Sequence, residues 1–202
     1  KEGVSKTTQH SSQKIRLGIN QPMPRKPQRT NEEMSPGFTK HQKIGVFVDA
    51  QNMYHSAKNL HKARVNFGAI LQQAVSNRQL IRAFAYVIKT ESGEEKAFLE
   101  ALKKAGFELK VKDLQVFPGG LKKGDWDVGM AIDAVILADK IDVAVLVEGD
   151  GDFVPLVEYL KTNRGVKVEV IAFGRSASSR LKAVADEFVD LEENLDKYLL
   201  RK

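Results

Sequence analysis

Residues 143–153 read Val-Ala-Val-Leu-Val-Glu-Gly-Asp-Gly-Asp-Phe, and this stretch constrains the fold more than any other. Its valine-rich opening has no polar face, which suits a strand buried on both sides of a parallel sheet. Just past it stand Asp150 and Asp152, each behind a glycine that lets the backbone turn sharply. Open α/β sheets build their sites at the carboxyl edge of the strands. The competing reading is a solvated acidic turn, since Asp and Gly are ordinary turn residues. Other strand ends decide between the two.

The chain repeats this grammar. Residues 44–48, Ile-Gly-Val-Phe-Val, form a second buried strand and end at Asp49. From Gln51 the spacing of Met53, Ala57 and Leu60 predicts a helix, and a further short helix is expected over 67–75. Strands are expected at 80–88 and, from alternating Leu109, Val111, Leu114 and Val116, at 107–117. Between them, Ala97, Leu99 and Leu102 predict a helix over 94–104, stopped by Gly106. A loop over 118–124 leads to a helix over 126–138, with Val128, Ile132, Val135 and Ile136 as its apolar stripe. Helices over 153–162 and 178–185 and strands over 167–173 and 188–191 follow. Strands alternating with helices of about ten residues imply crossover units, a parallel sheet and helices on both faces. There is no G-x-G-x-x-G and no P-loop, so dinucleotide and triphosphate folds lack support.

Two domain segments are expected. Residues 1–42 are rich in Ser, Thr, Gln, Lys and Pro, and Pro22, Pro24, Pro27 and Pro36 interrupt any long element. They carry 8 Lys/Arg against 3 Asp/Glu, so +5 of the net charge of +6 sits there. A flexible basic arm is read here, suited to nucleic acid or simply to solubility. Residues 43–202 form the folded domain. The chain has no cysteine, which removes disulfides and thiolate metal sites. No apolar run reaches the roughly 20 residues of a membrane helix, and residues 1–10 lack a secretory core. A cytoplasmic protein is the expectation.

The acids carry the chemistry. Asp49 ends one strand, and Asn52 follows one helical turn later. Asp127 opens a helix, where capping is the ordinary alternative. Asp133 is flanked by Ile132, Ala134 and Val135, so its carboxylate sits at a buried edge and needs a partner. If the strands are parallel and adjacent, Asp49 and Asp150 reach the same rim. Crowded carboxylates repel and take up protons, and a divalent cation relieves that cost. Oxygen donors without His or Cys suit Mg²⁺ or Mn²⁺. Such a site suits phosphodiester hydrolysis, with Lys122, Lys123 and Arg175 as candidates to hold a nucleic-acid backbone.

Four motifs resemble those of NYN domains, the LabA-like group of the PIN-like nuclease superfamily. Residues 46–54, Val-Phe-Val-Asp-Ala-Gln-Asn-Met-Tyr, resemble the family's opening strand, Asp and Asn. Residues 123–128, Lys-Gly-Asp-Trp-Asp-Val, are similar to its Lys-Gly-x-Asp-Val box with one extra residue. Residues 146–153 are similar to its Ser-Gly-Asp-x-Asp-Phe signature, with Glu148 in place of the serine. Residues 173–191, with Ser178, Leu181 and Asp186, resemble its closing pattern. The resemblance implies a three-layer Rossmann-like sandwich with a mostly parallel sheet. It also implies a metal-dependent endoribonuclease: Asp49, Asp127, Asp133 and Asp150 would hold the ion, and Asp152 would be a further ligand or a base. Asn52 and Ser178 would face substrate. RNA is the implied partner and a homodimer a candidate assembly. Two other functions stay open: an RNA-binding regulatory module with a weak or inactive site, and a phosphatase or small-nucleotide hydrolase.

Overall fold

The computed structural model describes residues 41–89, 95–116, 118 and 122–200. Most of the expected basic arm lies outside the described residues. β1 (Lys43–Asp49) leads directly into α1 (Ala50–His61). β2 (Arg64–Val65), α2 (Phe67–Val75) and β3 (Gln79–Lys89) follow. α3 (Glu95–Ala105) ends at Gly106, whose φ of 106° is the left-handed conformation that glycine adopts freely. β4 (Glu108–Asp113) is followed by a small antiparallel pair, β5 (Gln115–Val116) and β6 (Lys122–Lys123). Next come α4 (Asp127–Leu137), β7 (Val143–Val147), α5 (Val154–Arg164) and β8 (Lys167–Ala172). α6 (Ser179–Val184), β9 (Glu187–Asp190), α7 (Leu195–Tyr198) and β10 (Leu199–Leu200) complete the domain.

Six strands form one parallel sheet in the order β4-β3-β1-β7-β8-β9. The chain builds outward from β1 through β3 to β4, then returns to the other side of β1 and builds outward again. β1 and β7 are therefore neighbours at the point where strand order reverses, the place at which open α/β sheets open a crevice. β7 and the centre of β1, Ile44–Val48, are buried because helices cover both faces. On one face Ile44, Val46, Val48, Val143, Val145 and Val147 pack with Met53, Ala57, Ile70 and Leu102 of α1, α2 and α3. On the other, Phe47, Phe84, Tyr86, Ala144 and Leu146 pack with Met130, Ala134, Val157, Leu160 and Leu181 of α4, α5 and α6. This is the expected three-layer α/β sandwich.

Three local expectations are corrected. The alternation over 107–117 is not a single two-faced strand. β4 stops at Asp113 and is an edge strand with Val111 exposed, and Phe117 lies outside the described residues. In α3 the core contact comes from Leu102, with Phe98 and Leu99 half-buried and Ala97 exposed. In α4 three of the four residues of the expected apolar stripe face outward, Val128, Ile132 and Ile136 being 69%, 53% and 67% exposed, while Val135 is half-buried against the inner core. The smaller Ala134, with Met130 and Leu137, faces the sheet instead, allowing the helix to sit close over the aromatic rings of β1 and β3.

Candidate active site

The carboxyl ends of β1 and β7 deliver Asp49 and Asp150 to the reversal point, as the spacing predicts. Asp49 caps α1, and its Oδ1 accepts from the backbone N–H of Gln51 at 2.9 Å and of Asn52 at 2.8 Å. The second carboxylate oxygen makes no backbone cap. Asn52 is fixed in the first turn of α1 by the same contact, half-buried beside the acid. Gln51 ties this corner to β3 by donating its side-chain N–H to Ile88 O at 3.0 Å.

Asp150 caps a short 3₁₀ turn, 151–153, accepting from Asp152 N at 3.0 Å. The glycines beside it have ordinary φ values, so left-handed turns are not their purpose. A Cβ on Gly149 would lie 3.2 Å from Ala177 Cα, and one on Gly151 would lie 2.8 Å from Ser178 Oγ. Ser178 N donates to Gly149 O at 2.8 Å. Residues 176–178 thus brace the acidic loop from behind, and Ser178 acts on its position.

Asp127 reaches the site from α4. The capping alternative does not hold: Trp126 occupies the cap position, and no side chain there makes a capping hydrogen bond. Trp126 locates the helix start by donating Nε1–H to Val87 O at 2.9 Å while its ring covers Gly129. Asp127 is left with its carboxylate uncommitted at the rim.

Glu148 is the residue that sequence reasoning treated only as a replacement for serine. It is buried, and its Oε1 accepts from Gly149 N at 2.6 Å and Asp150 N at 2.8 Å. Its carboxyl also hydrogen-bonds that of Asp49. One side chain therefore joins the ends of β1 and β7. Its signal in the sequence was an acid directly following a strand buried on both faces.

The electrostatics follow from crowding. Burial, then the charges of Asp49 and Asp150, push Glu148 up to about 8 from 4.5. Burial likewise raises Asp49, against the pull of its backbone hydrogen bonds. Asp127 is raised by burial and then by Asp125, Asp49, Asp150 and Asp152. These acids share one region and repel one another. Among the described residues none of Asp49, Asp127, Glu148, Asp150 and Asp152 has a Lys or Arg ion-pair partner. Nor, among the described residues, do any three His, Cys, Asp or Glu side chains stand as a finished metal cage. The all-oxygen donor set and its unbalanced negative charge nevertheless suit a hard divalent cation.

Other expected members lie elsewhere. Asp133, six residues and about 9 Å of helix rise beyond Asp127, accepts from Tyr86 Oη at 2.9 Å and pairs with Lys110 at 3.3 Å. It has found its partner in a tyrosine and a lysine rather than in the acidic group. Arg175 is held by Glu192, at 2.6 Å from Nε and 2.8 Å from its backbone N–H. The side chains of Lys122 and Lys123 lie outside the described residues, though their backbones form β6, just ahead of Asp127.

The sequence pattern of the NYN domain matches residues 43–192, the span that holds both halves of the sheet and every acid of the site. The chain belongs to the NYN family. NYN domains are nuclease-like folds of the PIN-like superfamily. The low amplitude and bright protein LabA of Synechococcus elongatus is similar to this NYN protein, at 22% identity over 162 residues, covering 75% of this chain and 84% of that protein. A crystal structure of a Vibrio parahaemolyticus protein of unknown function superposes with a TM-score of 0.73 at 32% identity, covering 81% of this chain and 99% of that one. No helix among the described residues is long and apolar enough to cross a membrane.

Proposed function

We propose that this NYN protein is a metal-dependent endoribonuclease that hydrolyses RNA phosphodiester bonds. The observation that carries the reading is the group of mutually repelling acids, Asp49, Asp127 and Asp150, gathered at the strand-order reversal with no described cation to balance them. Asp49, Asp127 and Asp150 would hold Mg²⁺ or Mn²⁺. A bound divalent ion lowers the pKa of the attacking water and offsets charge on the phosphate. Asp152, exposed at the rim, would act as the base that takes a proton from an attacking water. Asn52 orients the phosphate with its amide. Lys122 and Lys123, in the strand leading into Asp127, hold the RNA backbone as it enters.

The test is incubation of purified protein with labelled single-stranded RNA, structured RNA and DNA, with Mg²⁺, Mn²⁺, Ca²⁺ or chelator. RNA cleavage in Mg²⁺ or Mn²⁺, lost in a folded Asp49→Asn variant, supports the reading. Equal cleavage by parent and variant refutes the assignment. One observation favours a second reading: Glu148 stands where the family motif carries serine and hydrogen-bonds Asp49. An RNA-binding regulatory module with a slow or silent site follows from that, and RNA binding without turnover in either ion would select it.

A further inference from the structure

The connection between β8 and α6, residues 173–178, stands behind the acidic loop. Ser178 N donates to Gly149 O at 2.8 Å, and Ala177 Cα lies 3.2 Å from where a Cβ on Gly149 would sit. The connection has little apolar anchorage of its own. Phe173 is buried, but Arg175 and Ser176 are exposed and Ala177 is half-buried. Polar contacts therefore set where it lies. We infer that Glu192 is a positioning residue for Asp150, given Asp49 and Asp150 as ligands of one cation as proposed above. By tying Arg175 to the end of α1, Glu192 holds the connection, and through it the acidic loop, at a fixed separation from Asp49.

Glu192 sits in the 3₁₀ turn Leu191–Asn194 that follows β9. Leu191 buries its side chain in the core, and Asp190 Oδ1 accepts from Glu192 N at 2.9 Å. With its backbone fixed in this way, Glu192 turns its carboxylate toward the rim. Oε2 accepts from Arg175 N at 2.8 Å, and Oε1 accepts from Arg175 Nε at 2.6 Å. Oε1 also lies 3.1 Å from His61 Nε2. The side chain is only 16% exposed, so these charge-assisted contacts are shielded from competing water. His61 is the last residue of α1, the helix that begins at Asp49, and its ring rests against buried Phe173 with centroids 5.4 Å apart. α1 is anchored in the core by Met53 and Ala57. It is the fixed reference, and the connection is what Glu192 holds against it. Ser56 and Ser176, with Oγ atoms 3.2 Å apart, form a second tie between the same two elements, without charge and therefore weaker. Asp190 is no substitute, because its Oδ1 already accepts from Gly174 N at 2.8 Å and from Glu192 N.

Two measurements on the full chain test this: Mn²⁺ binding by calorimetry, and hydrogen exchange in the metal-free protein. Glu192→Ala should weaken Mn²⁺ binding by at least about tenfold, the loss expected when a group that orients a ligand is removed. Without metal, it should speed exchange at Asp152 N–H, which bonds the Asp150 carboxylate, and at Ser178 N–H by about tenfold. Val145 and Val147 of β7 should exchange as in the parent. Glu192→Gln keeps an oxygen for Arg175 N–H and should recover part of both losses. Arg175→Ala should weaken Mn²⁺ binding as well, and the double variant should lose less than the sum of the two, because they act through one contact. Unchanged exchange at Asp152 and Ser178 overturns the inference, as do fully additive losses. Acceleration that spreads equally to β7 also overturns it, by making Glu192 a support for the whole fold. A parent that binds no Mn²⁺ removes the metal reading of the site, while the exchange rates still decide whether Glu192 positions the loop.

Discussion

Glu148→Gln separates the electrostatic account of the site from a purely structural one. The amide retains the shape of the protonated acid: its oxygen can accept from Gly149 and Asp150, and its N–H can donate to Asp49 as the carboxylic acid does. Only the titration is removed. In the parent, Glu148 is pushed up to about 8 in the folded state from 4.5 in the open chain. Below pH 4.5 both states hold the proton, and the stabilising contribution is fully present. As pH rises from 4.5 toward 8, the unfolded chain releases its proton while the folded one keeps it, so that contribution is progressively lost. A window of about 3.5 units at about 1.4 kcal/mol per unit sets a ceiling of about 5 kcal/mol. Sharing with Asp49 reduces it, and about 2 kcal/mol is the expected loss between about pH 5 and about pH 8. Urea unfolding followed through Trp126 fluorescence, in chelator, measures it. The difference between variant and parent cancels the titration of groups that do not interact with Glu148, leaving its own and that of Asp49 beside it. The variant should gain on the parent steadily as pH rises. Parallel pH profiles would refute the claim that a buried, proton-holding acid joins β1 to β7.

Other predictions are more local. Asp49→Asn should abolish cleavage by the metal-dependent route while leaving the apo protein folded, as checked by circular dichroism, because an amide still caps α1 and lessens repulsion with Glu148. Glu169→Ala should cost about 3–5 kcal/mol in urea unfolding, since it strips the buried guanidinium of Arg78 of a two-pronged partner at 2.8 and 2.9 Å. Gly174→Ala should destabilise by at least about 1–3 kcal/mol, because a Cβ there would lie 1.9 Å from Asp190 Oδ2. Trp126→Phe loses the indole bond to Val87 O and should cost about 1 kcal/mol. It should also weaken Mn²⁺ binding measured by calorimetry, through displacement of Asp127.

The strands and their terminal acids were legible because each signal is local. A run such as 143–147 has no polar side to place in water, and an Asp after it has only the rim to occupy. The outer layer was less legible. Val128, Ile132 and Ile136 mark an apolar side of α4 without saying what covers it, and close approach to Phe47 and Tyr86 favours the small Ala134 on the inner side. Asp133 was read correctly as an acid needing a partner, yet Tyr86 and Lys110 are 47 and 23 residues away and nothing in the spacing announces them. For Asp127 the sequence left a helix cap open beside a role in the site, and only the position of Trp126 removes the cap. Glu148 went unrecognised because its role depends on two backbone N–H groups and an acid from another strand.

The reversal of strand order between β1 and β7 also governs when the site can exist. Asp49 arrives with the first half of the polypeptide, Asp127 with the connection that carries the chain back, and Asp150 with the second half. A nascent chain that has completed β4 holds one of these acids and no pocket. Assembly of the charged cluster therefore reports that both halves have been sewn together, and a fragment of either half holds only part of it.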